Sequence, residues 1–169
     1  KNIYSGGMLI FQPGITITEN NQQKIKSFSN GIGGILKFYI KNFYTFGIFG
    51  GSSKTNYKSK YSESSYINLG YGGAFVGISK KYEKIRFSIS AFAGPGAIKN
   101  LHIQNQNDNR LTEAYLFKNS VVVFTPILNL DYYLTERLSF TVQSLILTSK
   151  YNENLFYNPT LQLGLLFNR

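Results

Sequence analysis

Apolar and polar residues alternate with a period of two along much of this chain, and this alternation limits its fold more than any other feature. Near the C-terminal end, Leu161, Leu163 and Leu165 fall on one face of an extended segment, whereas Gln162 and Gly164 fall on the other. The pattern recurs in segments of roughly ten residues separated by polar stretches, and a helical period is hard to find. It predicts β-strands whose two sides face different surroundings.

Eight such segments can be read, and each has one face that carries large apolar residues. The opposite faces carry mainly Gly, Ser, Thr, Asn and Gln. In chain order, the predicted apolar faces are Leu9, Phe11, Ile15, Ile17; Ile32, Leu36, Phe38, Ile40; Tyr44, Phe46, Ile48; Ile67, Leu69, Tyr71, Phe75; Ile85, Phe87, Ile89, Ala91, Ala93; Phe124, Leu128, Leu130, Tyr132; Leu138, Phe140, Val142, Ile146; and Leu161, Leu163, Leu165, Phe167.

The connections between these segments alternate between long and short. Tight turns are predicted at Lys41 and Asn42, at 80–84 and at 134–136, whereas long polar loops are predicted at 19–29, 53–65, 100–119 and 150–158. Single-chain outer-membrane barrels have this asymmetry, with short periplasmic turns, long extracellular loops and an even number of strands. The pattern therefore favours such a barrel, with both termini in the periplasm of a bacterium.

The predicted fold class is all-β, an eight-stranded antiparallel up-and-down transmembrane β-barrel that forms a single domain over residues 1–169. The alternative is a soluble ligand-binding barrel of lipocalin type, which alternates in the same way but turns its apolar face inward. Such a barrel needs a charged exterior, and only 15% of this chain is charged. Tyr and Phe also recur near the segment ends, as interfacial aromatic girdles do.

Three segments resemble the glycine-paired strands of small outer-membrane β-barrel proteins of uncharacterised function, similar in architecture to the OmpA/OmpX-type barrels. They are residues 29–52 (SNGIGGILKFYIKNFYTFGIFGGS), 69–98 (LGYGGAFVGISKKYEKIRFSISAFAGPGAI) and 121–133 (VVVFTPILNLDYY). The resemblance covers most of the chain from Ser29 onward. It implies the same barrel fold and carries no activity with it.

Composition excludes several classes of function. The chain has no Cys, which rules out disulfides and thiolate metal sites, and no metal or other cofactor is expected. Its formal net charge of +10 comes from scattered basic residues without a nucleic-acid-binding motif, so no nucleic-acid partner is expected. Attraction to phosphate groups of lipopolysaccharide or lipid headgroups fits the same charge. The start at Lys1 without Met is expected of a processed, exported chain or of a trimmed one.

The predicted interior of the barrel contains charged residues. Lys37, Arg86, Asn129 and Asp131 lie on inward faces and predict a structural polar network that satisfies buried charge. Side chains just fill the lumen of an eight-stranded barrel, so a diffusion pore is disfavoured. The small inward residues Gly33, Gly47, Gly70, Gly72 and Gly94 are interpreted as room for bulkier neighbours rather than as a cavity. A narrow proton or ion path remains an alternative.

The loops are the candidate interaction surfaces of a non-enzymatic structural or interaction barrel. They would bind lipopolysaccharide or an envelope protein; the alternative is an accessory subunit of a larger outer-membrane complex. The candidate residues are Lys54, Tyr57, Lys58, Lys60, His102, Asn105 and Arg110. A lipid A-modifying enzyme is a weaker alternative, because it would rest on His102, the single His, with a serine and a carboxylate such as Asp108 or Glu113. No catalytic residue is predicted.

Overall fold

The chain forms one closed antiparallel β-sheet. The computed structural model describes residues 3–20, 23–41, 43–60, 62–107, 110–151 and 153–168, with the backbone alone at 3, 4, 105–107 and 110–112. The strands are β1 (Ile3–Phe11), β2 (Gly14–Glu19), β3 (Lys24–Ile40), β4 (Tyr44–Ser59), β5 (Ser62–Tyr82), β6 (Ile85–Asn107), β7 (Arg110–Tyr133), β8 (Leu138–Tyr151) and β9 (Asn154–Asn168). None of the described residues belongs to a helix long and apolar enough to cross a membrane.

Strands β1 and β2 together make one stave of the barrel. Both pair with β3 on one side and with β9 on the other, so the nine strands form eight staves around a closed ring. The break lies at Gln12 and Pro13, where Pro has no N–H to donate to a neighbouring strand. Gln12 N still donates to Gly31 O at 2.9 Å, and Leu161 N donates to Pro13 O at 3.0 Å. The predicted eight-stranded barrel is confirmed.

The outer wall of the barrel is apolar, as predicted for seven of the eight staves. Large apolar side chains project outward around the ring, among them Leu9 with 84%, Val122 with 74% and Ile32 with 72% of the side chain exposed. A contiguous apolar surface of this extent is unfavourable in water and is expected to face lipid. The lipocalin-type alternative requires this face to point inward and is therefore wrong.

The orientation predicted for β5 is wrong. Ile67, Leu69, Tyr71 and Phe75 were expected on the outer wall, but their side chains fill the interior. The face that does point outward includes Val76 and is also apolar, so residue size did not distinguish the two sides. Packing decides the orientation, because the lumen at this level needs large side chains to exclude voids.

The interior is filled rather than open. Phe49, Tyr71 and Phe92 pack edge to face, with ring centroids 5.0 to 6.0 Å apart. Gly47 is needed both by the backbone of β3 and by a neighbouring ring, since a Cβ there would lie 1.9 Å from Leu36 O and 2.9 Å from the Phe75 ring. The interpretation of small inward residues as space for bulkier neighbours is thus confirmed at Gly47. The same interpretation is wrong for Gly70 and Gly72. They lie on the face of β5 opposite to Phe75, and that face points outward.

One end of the barrel has tight turns, and the other has long hairpins. The three predicted tight connections are confirmed, with Lys41 and Glu83 in the left-handed region at φ of 50° and 44°; Asn42 lies outside the described residues. The predicted long loops are wrong, because the strands continue through them as paired hairpins. Tyr57, for example, pairs with Ser65 within the expected second loop. Polar residues there mark the end of the lipid-facing wall and not the end of backbone pairing.

The orientation of β5 can be tested by labelling single cysteines, because the chain contains no Cys of its own. We expect a water-soluble maleimide to label Asn68→Cys, which lies outward near the upper edge of the apolar wall, and to leave Leu69→Cys unlabelled in the folded barrel. Both variants should react fully after denaturation. Faster labelling at position 69 than at 68 in folded protein would contradict the observed register.

Candidate functional site

The four residues predicted to form a network in the lumen do come together near the tight-turn end. Lys37 lies on β3, Arg86 on β6, and Asn129 and Asp131 on β7, and all four side chains are buried. Lys37 Nζ donates to Asn129 Oδ1 at 2.7 Å and lies 3.6 Å from Asp131 Oδ1. The buried cation and anion thus neutralise each other inside the barrel.

Two further residues complete the network, and the sequence did not identify them as its members. Tyr39 OH donates to Asp131 Oδ2 at 2.7 Å, and Thr141 Oγ1 donates to Asp131 Oδ1 at 2.6 Å. The guanidinium carbon of Arg86 lies 3.8 Å from the centre of the Tyr39 ring, which is a cation–π contact. Both side chains lie on inward strand faces, and Tyr39 is on the same face of β3 as Lys37. This alternation was the signal that could have identified them.

The middle of the lumen contains both apolar and polar side chains. Fully buried Phe92 and Val123 belong to a continuous apolar cluster in the middle of the lumen. Beside the network is a cavity of about 10 Å³, which is the size of one water molecule and borders Lys37, Asn129 and Gln143. Gln143 lies opposite Gln162 on the neighbouring strand, and Gln162 Nε2 donates to Gln12 Oε1 at 2.8 Å, so polar side chains continue from the network into the middle of the lumen. The arrangement suits a structural charge pair.

A second polar cluster occupies the lumen at the hairpin end. Tyr57 OH donates to Asn100 Oδ1 at 2.8 Å, accepts from Asn20 Nδ2 at 3.3 Å and lies 3.1 Å from His102 Nδ1. Burial raises the pKa of Tyr57 to about 12, and burial also lowers the pKa of His102. Tyr57 and His102 are therefore interior residues, and their prediction as surface residues is wrong because the expected loops are strands with an inward face.

The geometry gives no support to a catalytic triad at His102. Its ring stacks on Tyr57 inside the barrel, whereas the exposed side chain of Glu113 accepts a hydrogen bond from Tyr115. Asp108, the other candidate acid, lies outside the described residues. Within the part of the chain that the structure describes, no three His, Cys, Asp or Glu residues are close enough to hold a metal ion.

The predicted basic surface residues are exposed on the long hairpins. Lys54, Lys58 and Lys60 project outward, and Lys58 forms an ion pair with Glu63. The side chains of Asn105 and Arg110 lie outside the described residues.

Three lysines on β4, β6 and β7 form a row that the sequence did not reveal. Lys54 of β4 pairs with Asn68 of β5, Asn68 pairs with Lys99 of β6, and Lys99 pairs with Lys118 of β7. All three lysines project outward. We call Lys54, Lys99 and Lys118 the lysine row. Two cations directly opposite each other repel, and neither Lys99 nor Lys118 forms an ion pair with any described residue. The row is therefore suited to binding an anion.

Comparison with known proteins shows the fold. No protein-family model matches the chain, and no curated protein sequence matches it. Among solved structures, the chain is similar to Ail, the attachment invasion locus protein of Yersinia pestis, in complex with the heparin analogue sucrose octasulfate; the TM-score is 0.57, the identity is 14%, and the match covers 98% of this chain and 99% of that one.

Two further structures give the same result. Neisserial surface protein A matches with a TM-score of 0.57 and 9% identity over 99% of this chain and 96% of its own. The outer membrane protein OprG from Pseudomonas aeruginosa matches with a TM-score of 0.57 and 9% identity over 99% and 94%. The chain thus has the fold of the small outer-membrane β-barrels, as its sequence predicted.

Substitutions in the lumen network should show that its charges depend on each other. Asp131→Ala leaves Lys37 buried without its anion and is expected to cost about 3–5 kcal/mol of unfolding free energy. The double variant Lys37→Met, Asp131→Leu should recover only the part of that loss that comes from Lys37, since Arg86 stays buried and cationic beside the Tyr39 ring. Urea unfolding in detergent micelles measures both. Equal stability of Asp131→Ala and the wild type would contradict a structural charge pair.

The buried imidazole predicts a pH dependence of stability. Because the pKa of His102 is lower in the folded barrel than in the unfolded chain, the unfolded chain binds the proton more readily. Stability should therefore fall as pH decreases through the ordinary His pKa of about 6.5. His102→Gln should lose this component while keeping the carboxylate-dependent decrease at lower pH. Thermal unfolding between pH 8 and 5 measures the difference, and parallel curves for the two proteins would contradict it.

Proposed function

We propose that this protein is a non-enzymatic interaction barrel of the bacterial outer membrane, with its tight turns in the periplasm and its long hairpins outside the cell. The described chain ends support one common side for both termini, since Ile3 pairs with Ile40 and Asn168 N donates to Arg137 O beside the tight turns. The fold shared with outer-membrane proteins supports the location. The filled lumen leaves the outer wall and the hairpins as its working surfaces.

The proposed ligand is lipopolysaccharide, and the lysine row is the observation that carries the proposal. The row lies directly above the apolar wall, at the level where the phosphate groups of outer-leaflet lipids are expected. Neighbouring strands lie about 4.8 Å apart, so Lys54, Lys99 and Lys118 cover roughly 15 Å along the barrel surface. The heparin analogue held by Ail, a highly sulfated sugar, gives independent support for polyanion binding by barrels of this shape.

Membership in a larger envelope complex is a second candidate. On the β6–β7 hairpin, beyond the lysine row, Leu116 has 54% of its side chain exposed, and the exposed Tyr115 stacks on Phe117. Apolar groups outside the lipid-facing wall are typical of a protein contact. This surface is separate from the lysine row and is compatible with lipid binding.

Charge removal at the lysine row tests lipopolysaccharide binding. The triple variant Lys54→Gln, Lys99→Gln, Lys118→Gln should bind immobilised lipopolysaccharide about a hundredfold more weakly, since each cation near an anionic lipid surface contributes about 1 kcal/mol. The matched control is Lys80→Gln, Lys81→Gln, Lys84→Gln, which removes the same charge at the tight-turn end. Binding is measured in detergent at several salt concentrations. An equal loss in both triple variants, or no loss in either, would count against the proposal.

A further inference from the structure

A groove of about 1240 Å³ runs across the outer wall of the barrel near β1, β3, β4, β5 and β9. Its floor is formed where Gly34 of β3 pairs with Gly50 of β4 and Gly50 pairs with Gly72 of β5. The outward side chains of Leu36 and Ile48 border this floor. The groove is thus apolar and opens toward lipid.

The barrel itself does not require glycine along the whole of this floor. A Cβ at Gly72 would meet no atom within 4 Å, and a Cβ at Gly34 would come no nearer than 3.7 Å to Met8 O. Gly73, which points inward, is different, because a Cβ there would lie 2.3 Å from Ala93 O. Two of the three floor glycines could therefore carry a Cβ without a close contact, and the lack of side chains there leaves space on the lipid-facing side.

Polar and cationic groups lie on the outer wall above the groove, outside its lining. Above Gly50 on β4 the next outward residues are Ser52 and Lys54, and Ser52 Oγ donates to Asn68 Oδ1 of β5 at 3.0 Å. Lys54 Nζ lies 4.9 Å from the centre of the Tyr66 ring. Four residues of strand rise about 13 Å, so Lys54 lies about that far from Gly50 along β4. The charge of the site selects a lipid whose headgroup is anionic.

We infer that the groove holds an acyl chain of lipid A, the lipid part of lipopolysaccharide, with a phosphate group of the same molecule at Lys54 and Lys99. The inference rests on the proposed function and adds to it a lipid-binding site within the wall. Lipid A combines the two properties that the surface matches, several saturated acyl chains and phosphate groups at the membrane surface. A zwitterionic phospholipid also has a phosphate group, but the ammonium group of the same headgroup neutralises it.

A single tryptophan can report on the groove, because the natural chain has none. Ile48→Trp places the tryptophan at the groove border on β4, and Leu128→Trp places the control on β7. The two native side chains are equally exposed, at 58%. The full chain is reconstituted in vesicles of brominated phosphatidylcholine, which quenches tryptophan on contact. Unbrominated lipid A is then added. Recovery of fluorescence at Ile48→Trp is expected at a lipid A fraction about fivefold to tenfold lower than at Leu128→Trp.

Filling the groove should abolish this difference. In the Ile48→Trp background, Gly72→Leu should raise the required lipid A fraction to that of the control position, whereas Ala91→Leu, an outward change on β6, should leave it unchanged. Dephosphorylated lipid A should bind several-fold more weakly at the groove. Refolding is checked by heat-modifiable migration, so that a misfolded variant is not scored.

The outcomes separate the groove from the lysine row. Equal recovery at Ile48→Trp and Leu128→Trp overturns the groove site even if the lysine row binds lipopolysaccharide. Equal binding of lipid A with and without phosphate overturns lipid A as the occupant in favour of any acyl chain. The groove could instead be covered by a second copy of the chain. If the parent protein can be cross-linked as a dimer, and Gly72→Leu abolishes this dimer without changing the lipid A fraction that restores fluorescence, the inference is overturned.

Discussion

The structure depends on satisfying backbone hydrogen bonds without water. In a lipid environment each unpaired N–H or C=O costs several kcal/mol, so a sheet can cross a membrane only if it closes on itself. Here the closure is made by β1 and β2, which pair with β9 on one side and β3 on the other. The interruption at Pro13 falls between these two strands, and Gln12 N and Pro13 O still have partners on β3 and β9. One break in a stave is therefore tolerated because the ring around it remains closed.

Closure with eight staves determines the volume inside, and the interior side chains have to match that volume. Large residues at one level are accommodated by glycine at the neighbouring position, as Gly47 accommodates Phe75. The charged network of Lys37 and Asp131 is confined to the level beside the tight turns, where hydroxyl and amide groups from three strands surround it. The middle of the lumen holds apolar side chains such as Phe92 together with the hydrogen-bonded Gln12, Tyr71 and Gln162. Filling of this kind gains the dispersion contacts that an open lumen would forfeit.

Properties of a single strand, such as which of its faces meets lipid, could be predicted from the sequence. Properties that depend on the neighbouring strands, such as cross-strand pairing, could not. The alternation of Leu161, Gln162 and Leu163 required only the contrast between lipid and lumen, and the structure confirms it. In β5 both faces are apolar, so the choice between Phe75 and Val76 as the inward residue depends on volume contributed by other strands. The same limit applies to the candidate sites. Lys37 and Asp131 could be placed in the lumen by their faces, but the pairing of Lys99 with Lys118 depends on a register that is not visible in either strand alone. Polarity also could not separate loops from hairpins, because strands beyond the membrane have polar residues on both sides.

The distribution of small and charged residues divides the barrel into a part that serves the fold and a part that is free to serve a ligand. At Gly73 the fold accounts for the glycine, because the approaching backbone of β6 leaves no room for a Cβ. At Gly72, one residue away, the fold makes no such demand. The lysine row shows the same contrast with the lumen network, since Lys37 is neutralised within the protein whereas Lys99 and Lys118 oppose each other on the surface. Residues that the fold does not require, and that it would be more stable without, are the ones expected to reflect an external partner. Such glycines and such lysines occur on the same outer side of β4, β5 and β6. An amphipathic lipid is a ligand that can contact the glycines with its chain and the lysines with its headgroup.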